Sequence, residues 1–209
     1  MTTARLPVAL ALIVAVLLVI SGLHPSERST WWMETAPIFL AAPVLFLTYK
    51  RFPLTPLLYV LIALHAIILM VGGAYTYAKV PVGFWVQDVF HLSRNPYDKL
   101  GHFWQGLVPA LVARELFIRN RIVREGAWTS VLGVTIALSV SLIYELIEWG
   151  AAVAMGQGAD AFLGTQGDVW DTQSDMGMAC LGALFAVLVL WRWHDRQIAK
   201  VTARRRFSA

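Results

Sequence analysis

Residues 54–78 read LTPLLYVLIALHAIILMVGGAYTYA and contain no charged side chain. A helix of this length exceeds the roughly 30 Å thickness of the hydrocarbon core of a bilayer. The run therefore predicts a membrane-spanning helix. It decides the fold class, because similar apolar runs recur on both sides of it.

The whole chain of 209 residues follows this pattern. The fourth run, near residues 100–118, is the least hydrophobic, since charged and polar residues stand at its start. No internal repeat or linker divides the chain, so we expect residues 1–209 to form a single all-α integral-membrane domain, a bundle of six transmembrane helices. The predicted spans lie near residues 6–23, 33–49, 54–78, 100–118, 128–153 and 176–193.

Composition excludes several classes of protein. Hydrophobic residues make up 58% of the chain and charged residues 14%, with a mean hydropathy of +0.62. A soluble domain carries about 25% charged residues, so a soluble enzyme and a disordered protein are excluded. The net charge of +4 does not indicate a nucleic-acid partner, because basic excess in a membrane protein usually reflects orientation. The single cysteine, Cys180, excludes a disulfide framework.

The first run has two interpretations. Arg5 precedes it, as in a signal peptide, but no convincing small-residue cleavage pattern stands before His24, and the apolar stretch is long. We therefore interpret residues 6–23 as a retained span.

Charge counting predicts the orientation. If both termini lie on one side, that side holds thirteen of the seventeen Lys and Arg residues and three of the thirteen acids. The positive-inside rule then places both termini in the cytoplasm. We interpret the basic tail at 192–206 as a topology anchor rather than a nucleic-acid site. The longest outer loop, at 79–97, is expected to contain a short amphipathic or re-entrant segment.

Most of the outer acids fall in three motifs, whereas Glu27, Glu34 and Asp88 are assigned to loops. The first motif is YDKLGHFWQ at 97–105. Asp98, His102 and Gln105 share one helical face at this spacing. An N-terminal cap is the alternative role for Asp98.

The second motif, YELIEW at 144–149, places Glu145 and Glu148 three residues apart near the outer end of the fifth span. Two carboxylates on an apolar helix cost several kcal/mol to desolvate when unpaired. A cation or proton site is the favoured interpretation. The alternative is a pair that reaches the headgroups and binds Lys99 or Arg94.

The third motif, GTQGDVWDTQSDM, begins at Gly164 and precedes the sixth span. Its aspartates stand at i, i+3 and i+7, which predicts one face of a helix that continues into small residues and permits close helix packing. A solvated acidic loop is the alternative. The aspartates are Asp168, Asp171 and Asp175, and the small residues are Ala179 and Gly182.

Together the motifs predict a divalent-cation site at the outer membrane level. One imidazole among many carboxylates suits Mg²⁺, Mn²⁺, Ca²⁺ or Zn²⁺. The expected metal ligands are Asp98, His102, Glu145, Asp171 and Asp175. Glu148 or Asp168 is expected to act as general base, and Lys99, Arg94 and Gln105 to contact the substrate.

The three motifs resemble those of the YjdF-like family of bacterial inner-membrane proteins. The resemblance covers most of the chain, and the third motif is its most specific part. The order of motifs is also similar, more distantly, to that of VanZ-like membrane proteins, although Met178 stands where an Asn is expected. The VanZ-like resemblance implies a role in the cell envelope, and neither resemblance implies a particular reaction.

The resulting hypothesis is a metal-dependent hydrolase that acts on a membrane lipid or a lipid-linked envelope precursor. A proton- or cation-coupled transporter is the first alternative, because buried carboxylates serve coupling in membrane proteins. A non-catalytic scaffold with a structural metal is the second.

Overall fold

The structure is a computed structural model that describes residues 5–155 and 165–206. Gly164, the first residue of the third motif, lies outside the described residues, as do residues 1–4 and the last three. The described chain is all-helical, as expected, and contains seven helices and no strand.

Three helices form the first half of the bundle. α1 (Arg5–Leu23) has no buried residue and packs along α3 (Pro56–Tyr75). α2 (Arg28–Thr48) also packs on α3. A 3₁₀ turn at Tyr77–Lys79 leads to the short helix α4 (Pro81–Phe90). α4 occupies the outer loop predicted to hold an amphipathic segment, and its large apolar side chains are exposed.

The second half is built around α5 (Tyr97–Arg119), which packs against α3, α6 and α7. α6 covers Ala127–Met155. α7 begins as Asp171–Phe185, passes through a π-helical turn at Ala186–Leu190 and continues as Trp191–Arg206.

Five helices of the described chain are long and apolar enough to cross a membrane: α1, α2, α3, most of α6, and α7. α5 is not among them, although its 23 residues give it sufficient length. Its position explains its composition, because a helix surrounded by protein exchanges contacts with lipid for polar contacts with its neighbours.

Several boundaries differ from those predicted. α2 begins at Arg28 rather than at residue 33, and Glu34, assigned to a loop, lies within this helix. α7 begins at Asp171 rather than at 176 and extends beyond 193. Asp168 precedes α7, where its Oδ1 accepts a hydrogen bond of 2.9 Å from the Trp170 amide. The expected helical stripe therefore holds Asp171 and Asp175 but not Asp168.

Small residues bring α5 and α7 into backbone contact, as the third motif predicts. A Cβ added at Gly182 would lie 1.9 Å from the Phe103 carbonyl oxygen, and one at Gly106 would lie 1.8 Å from the Ala179 carbonyl oxygen. This close approach sets Asp175, at the start of α7, beside His102 near the start of α5.

Candidate metal centre

His102 lies one turn inside α5 and is 4% exposed. Its Nδ1 is 3.1 Å from Gln105 Oε1, an acceptor, so Nδ1 carries the proton in this contact. Its Nε2 faces two carboxylates, at 3.4 Å from Asp98 Oδ1 and 3.7 Å from Asp175 Oδ1. Metal-ligating histidines usually donate one ring N–H to a neighbouring acceptor and bind the ion through the other nitrogen, and the contacts of His102 are compatible with both roles.

Asp98, His102 and Asp175 form a compact group of three donors. One ligand atom from each lies within 4.8 Å of the other two, and all three residues are buried. Ligand bonds of about 2.0–2.5 Å place donors around one divalent ion at such separations. The oxygen and nitrogen donors fit the hard and borderline ions expected from the sequence.

α6 adds two carboxylates beside this group. Glu145 Oε1 lies 3.8 Å from His102 Nδ1, is buried, and has no hydrogen-bond partner among the described residues. A buried carboxylate oxygen without a partner carries an unfavourable desolvation free energy. Glu148 is 9% exposed, and no hydrogen bond or ion pair of the described chain engages its carboxylate.

The two basic residues near the group are bound to aspartates of the third motif, and Lys99 contacts Asp175 of the group itself. Lys99 Nζ lies 2.6 Å from Asp175 Oδ1 and 2.9 Å from Asp171 Oδ1. Arg94 donates to Asp171 and, at 2.7 Å, to the Thr165 carbonyl, and lies 3.7 Å from Asp168 Oδ2. Asp171 therefore lies between two cations and outside the three-residue group.

The remaining predicted residues occupy different positions. Gln105, expected to contact substrate, lies against His102 and lines the same cavity as Asp98. Asp168 lies at the rim, with one third of its side chain exposed. Glu148 lines a cavity together with Asp98 and His102.

This cavity has a volume of about 180 Å³ and is bounded by α2, α3, α5, α6 and Tyr77 of the 3₁₀ turn. Burial and the neighbouring Glu34 carboxylate raise the pKa of the Tyr77 phenol well above its ordinary value, so the phenol stays protonated. The polar and aromatic residues that line the cavity are Glu34, His65, Tyr77, Asp98, His102, Gln105, Tyr144 and Glu148.

Comparison with known proteins agrees with this architecture. Residues 6–196 match the model of a family described as predicted membrane protein (DUF2238). The chain belongs to the DUF2238 family. It is also 60% identical to the inner membrane protein YjdF of Escherichia coli strain K12 over 190 residues, 91% of each chain. No solved structure matches the chain. The DUF2238 family and the apolar helices together make the protein an integral membrane protein.

One residue of the site was missed by the sequence analysis of this DUF2238 chain. Glu34 of α2 is 2% exposed, lines the cavity, and accepts a hydrogen bond of 3.1 Å from the Tyr144 hydroxyl of α6. The apolar residues on both sides of Glu34, WWM at 31–33 and the run that follows Pro37, indicate that it is buried but do not identify its partner.

A second buried polar cluster, which we name the Glu115 cluster, lies at the other end of α5. It consists of Thr55, Glu115, Arg119 and His194. Glu115 is fully buried and accepts hydrogen bonds from Thr55 Oγ1 at 2.8 Å and from Arg119, while His194 Nε2 lies 3.0 Å away. In the sequence, Glu115 and Arg119 contribute only to the charge count that predicts the orientation.

Proposed function

We propose that this protein is a metal-dependent hydrolase that acts on a lipid or lipid-linked envelope substrate. The observation that carries the proposal is the buried group of Asp98, His102 and Asp175, with the unpartnered Glu145 oxygen beside it. These donors come from three different helices, so the bundle itself assembles them.

The chemistry follows from the donor set. A bound divalent ion lowers the pKa of a water ligand and polarises an ester or phosphoryl oxygen. Glu148 and Asp168 are the two candidates for general base. Glu148 is favoured because it lines the same cavity as Asp98 and His102 and is not engaged by a cation. Asp168, at the rim, faces Arg94.

We also propose that α5 crosses the membrane as a sixth span, with both termini in the cytoplasm. The length of α5 and its packing between α6 and α7 support the crossing. The distribution of Lys and Arg supports the orientation, and the relative in Escherichia coli is named as an inner membrane protein. The metal group then faces the periplasm.

The proposal is tested by measuring bound metal in the full-length protein, purified without chelator. We expect one Mg²⁺, Mn²⁺, Ca²⁺ or Zn²⁺ ion per chain, and loss of at least about tenfold in metal affinity for His102→Ala, as for removal of a direct ligand. Asp88→Asn, which changes an exposed carboxylate of α4, is the matched control. A wild-type protein that binds none of these ions after supplementation would refute the proposal.

A transporter remains the second candidate, favoured by the reach of the cavity to His65 in the middle of α3. Reconstituted vesicles separate the two functions. Metal-dependent release of a lipid product without net ion uptake supports hydrolysis, whereas proton or cation uptake that Glu145→Gln abolishes supports transport.

A further inference from the structure

We propose that α4 binds the lipid surface: it lies along the lipid–water boundary and inserts one apolar face into the headgroup region. The helix needs neither a bound metal nor a reaction for this role. Of the two arrangements expected for this loop, α4 fits the amphipathic one and not the re-entrant one.

The apolar residues of α4 form a helical stripe. Val82, Trp85, Val86 and Val89 stand at i, i+3, i+4 and i+7, so their side chains share one face of the helix. Phe84 is exposed as well but lies on the opposite face. The stripe contains no charged residue and one tryptophan, a residue that is enriched at membrane–water interfaces.

The two flanks of the stripe have different surroundings. On one flank, Gly83 is buried against Asn95, since an added Cβ would lie 1.8 Å from Asn95 Oδ1, and Gln87 Oε1 is also buried. On the other flank, Asp88 is exposed. A helix with protein on one flank, a carboxylate on the other and an apolar face between them suits a position in the plane of the membrane interface.

No other helix of the described chain covers the stripe. Val82 is 53% exposed, Trp85 63% and Val89 51%, and α4 packs mainly on the neighbouring 3₁₀ turn. A helix of ten residues is marginally stable in water unless packing of an apolar face supports it. Contact with lipid supplies that support, because it removes the exposed apolar side chains from water.

α4 lies at the level where the hydrocarbon core ends. α3 is a candidate span of 20 residues, so its length of about 30 Å equals the thickness of that core. α4 begins shortly after α3 and is half as long, too short to cross the core. Asn95 ties its start to that of α5, since Nδ2 donates to the Val80 carbonyl and Oδ1 accepts from the Tyr97 amide, both at 3.0 Å. The stripe therefore lies at the membrane boundary, at the end of α5 that carries the proposed metal site.

The test is the membrane depth of nitroxide spin labels on the full-length protein in phospholipid vesicles. Val82→Cys, Val89→Cys and Asp88→Cys are labelled one at a time in a Cys180→Ser background, and all three positions are exposed. Relaxation by oxygen, which concentrates in lipid, is compared with relaxation by a water-soluble nickel chelate. We expect the labels at 82 and 89 at equal depths of about 5–10 Å inside the boundary, and the label at 88 in water.

Nickel access at 82 and 89 equal to that at 88 would overturn the inference, because the stripe would then face water. Labels at 82 and 89 that neither reagent reaches would overturn it in favour of a protein partner or a second copy. A depth difference of about 10 Å between 82 and 89, the length of seven helical residues, would show a re-entrant helix instead. Metal binding is measured separately, so the proposed hydrolase function fails or stands independently of these results.

Discussion

His102 is the residue on which the site depends, because both of its ring nitrogens have defined neighbours. Gln105 Oε1 accepts a hydrogen bond from Nδ1, and the carboxylates of Asp98 and Asp175 face Nε2. The spacing of Asp98, His102 and Gln105 was readable from the sequence, since residues three and four apart share a helical face. The contact with Asp175 was expected only from the shared membrane level of the motifs.

Glu34 and Glu115 could not be assigned in this way. Glu34 is a single acid, and the Arg119 that stands four residues after Glu115 forms a pairing common on exposed helices, which does not mark a site. Their partners, Tyr144 for Glu34 and both Thr55 and His194 for Glu115, lie between 60 and 110 residues away in the chain. Such contacts depend on how helices pack, and no local pattern records them.

The Glu115 cluster predicts a large effect on stability. Glu115→Gln removes the charge that Arg119 and His194 face while the arginine remains buried, so we expect a loss of about 3–5 kcal/mol of unfolding free energy. The measurement is chemical unfolding in detergent micelles. Glu125→Gln, at an exposed position, is the control. Equal stability of the two variants would show that the cluster contributes little.

At the scale of helices, the hydropathy pattern predicted every helix that is long and apolar enough to span a membrane. It did not predict where these helices begin and end. α7 extends beyond the apolar run at both ends because polar residues can continue a helix once its core is packed. Asp168 fell outside α7 because its side chain hydrogen-bonds to the backbone of Trp170 in a turn, a conformation that competes with the helix. Charge and spacing alone do not show whether an acidic residue continues the helix, as Asp171 does, or lies in the turn before it, as Asp168 does.

The contact between α5 and α7 predicts a second effect. Gly182→Ala forces a methyl group against the Phe103 carbonyl, so the helices must separate, at a cost of about 1–3 kcal/mol. Because the same contact sets Asp175 beside His102, metal affinity should fall together with the thermal midpoint.

Gly177→Ala is the matched control for this variant. Gly177 lies on the same helix, and a Cβ there meets nothing within 4 Å. We expect its metal affinity to match that of the wild type and its stability to equal or exceed it by up to about 1 kcal/mol. A Gly182→Ala protein with unchanged metal affinity would contradict the link between close packing and the site.

At the scale of the whole molecule, one central helix carries a polar group at each end. The group of Asp98, His102 and Asp175 lies at the start of α5 and the Glu115 cluster about 20 Å further along, given a rise of 1.5 Å per residue. This arrangement explains why α5 is too polar to be recognised as a span by composition, although it lies at the centre of the bundle. Its polar side chains face protein neighbours.

The most direct test of the metal centre is anomalous scattering from crystals of the full-length protein grown with Mn²⁺. The arrangement of donors predicts an anomalous peak within about 2.0–2.5 Å of Asp98, His102 Nε2 and Asp175. The peak should disappear in the His102→Ala protein. A fully ordered site with no peak would contradict the proposed metal centre. So would a peak next to Asp168 and Asp171 alone, at the rim.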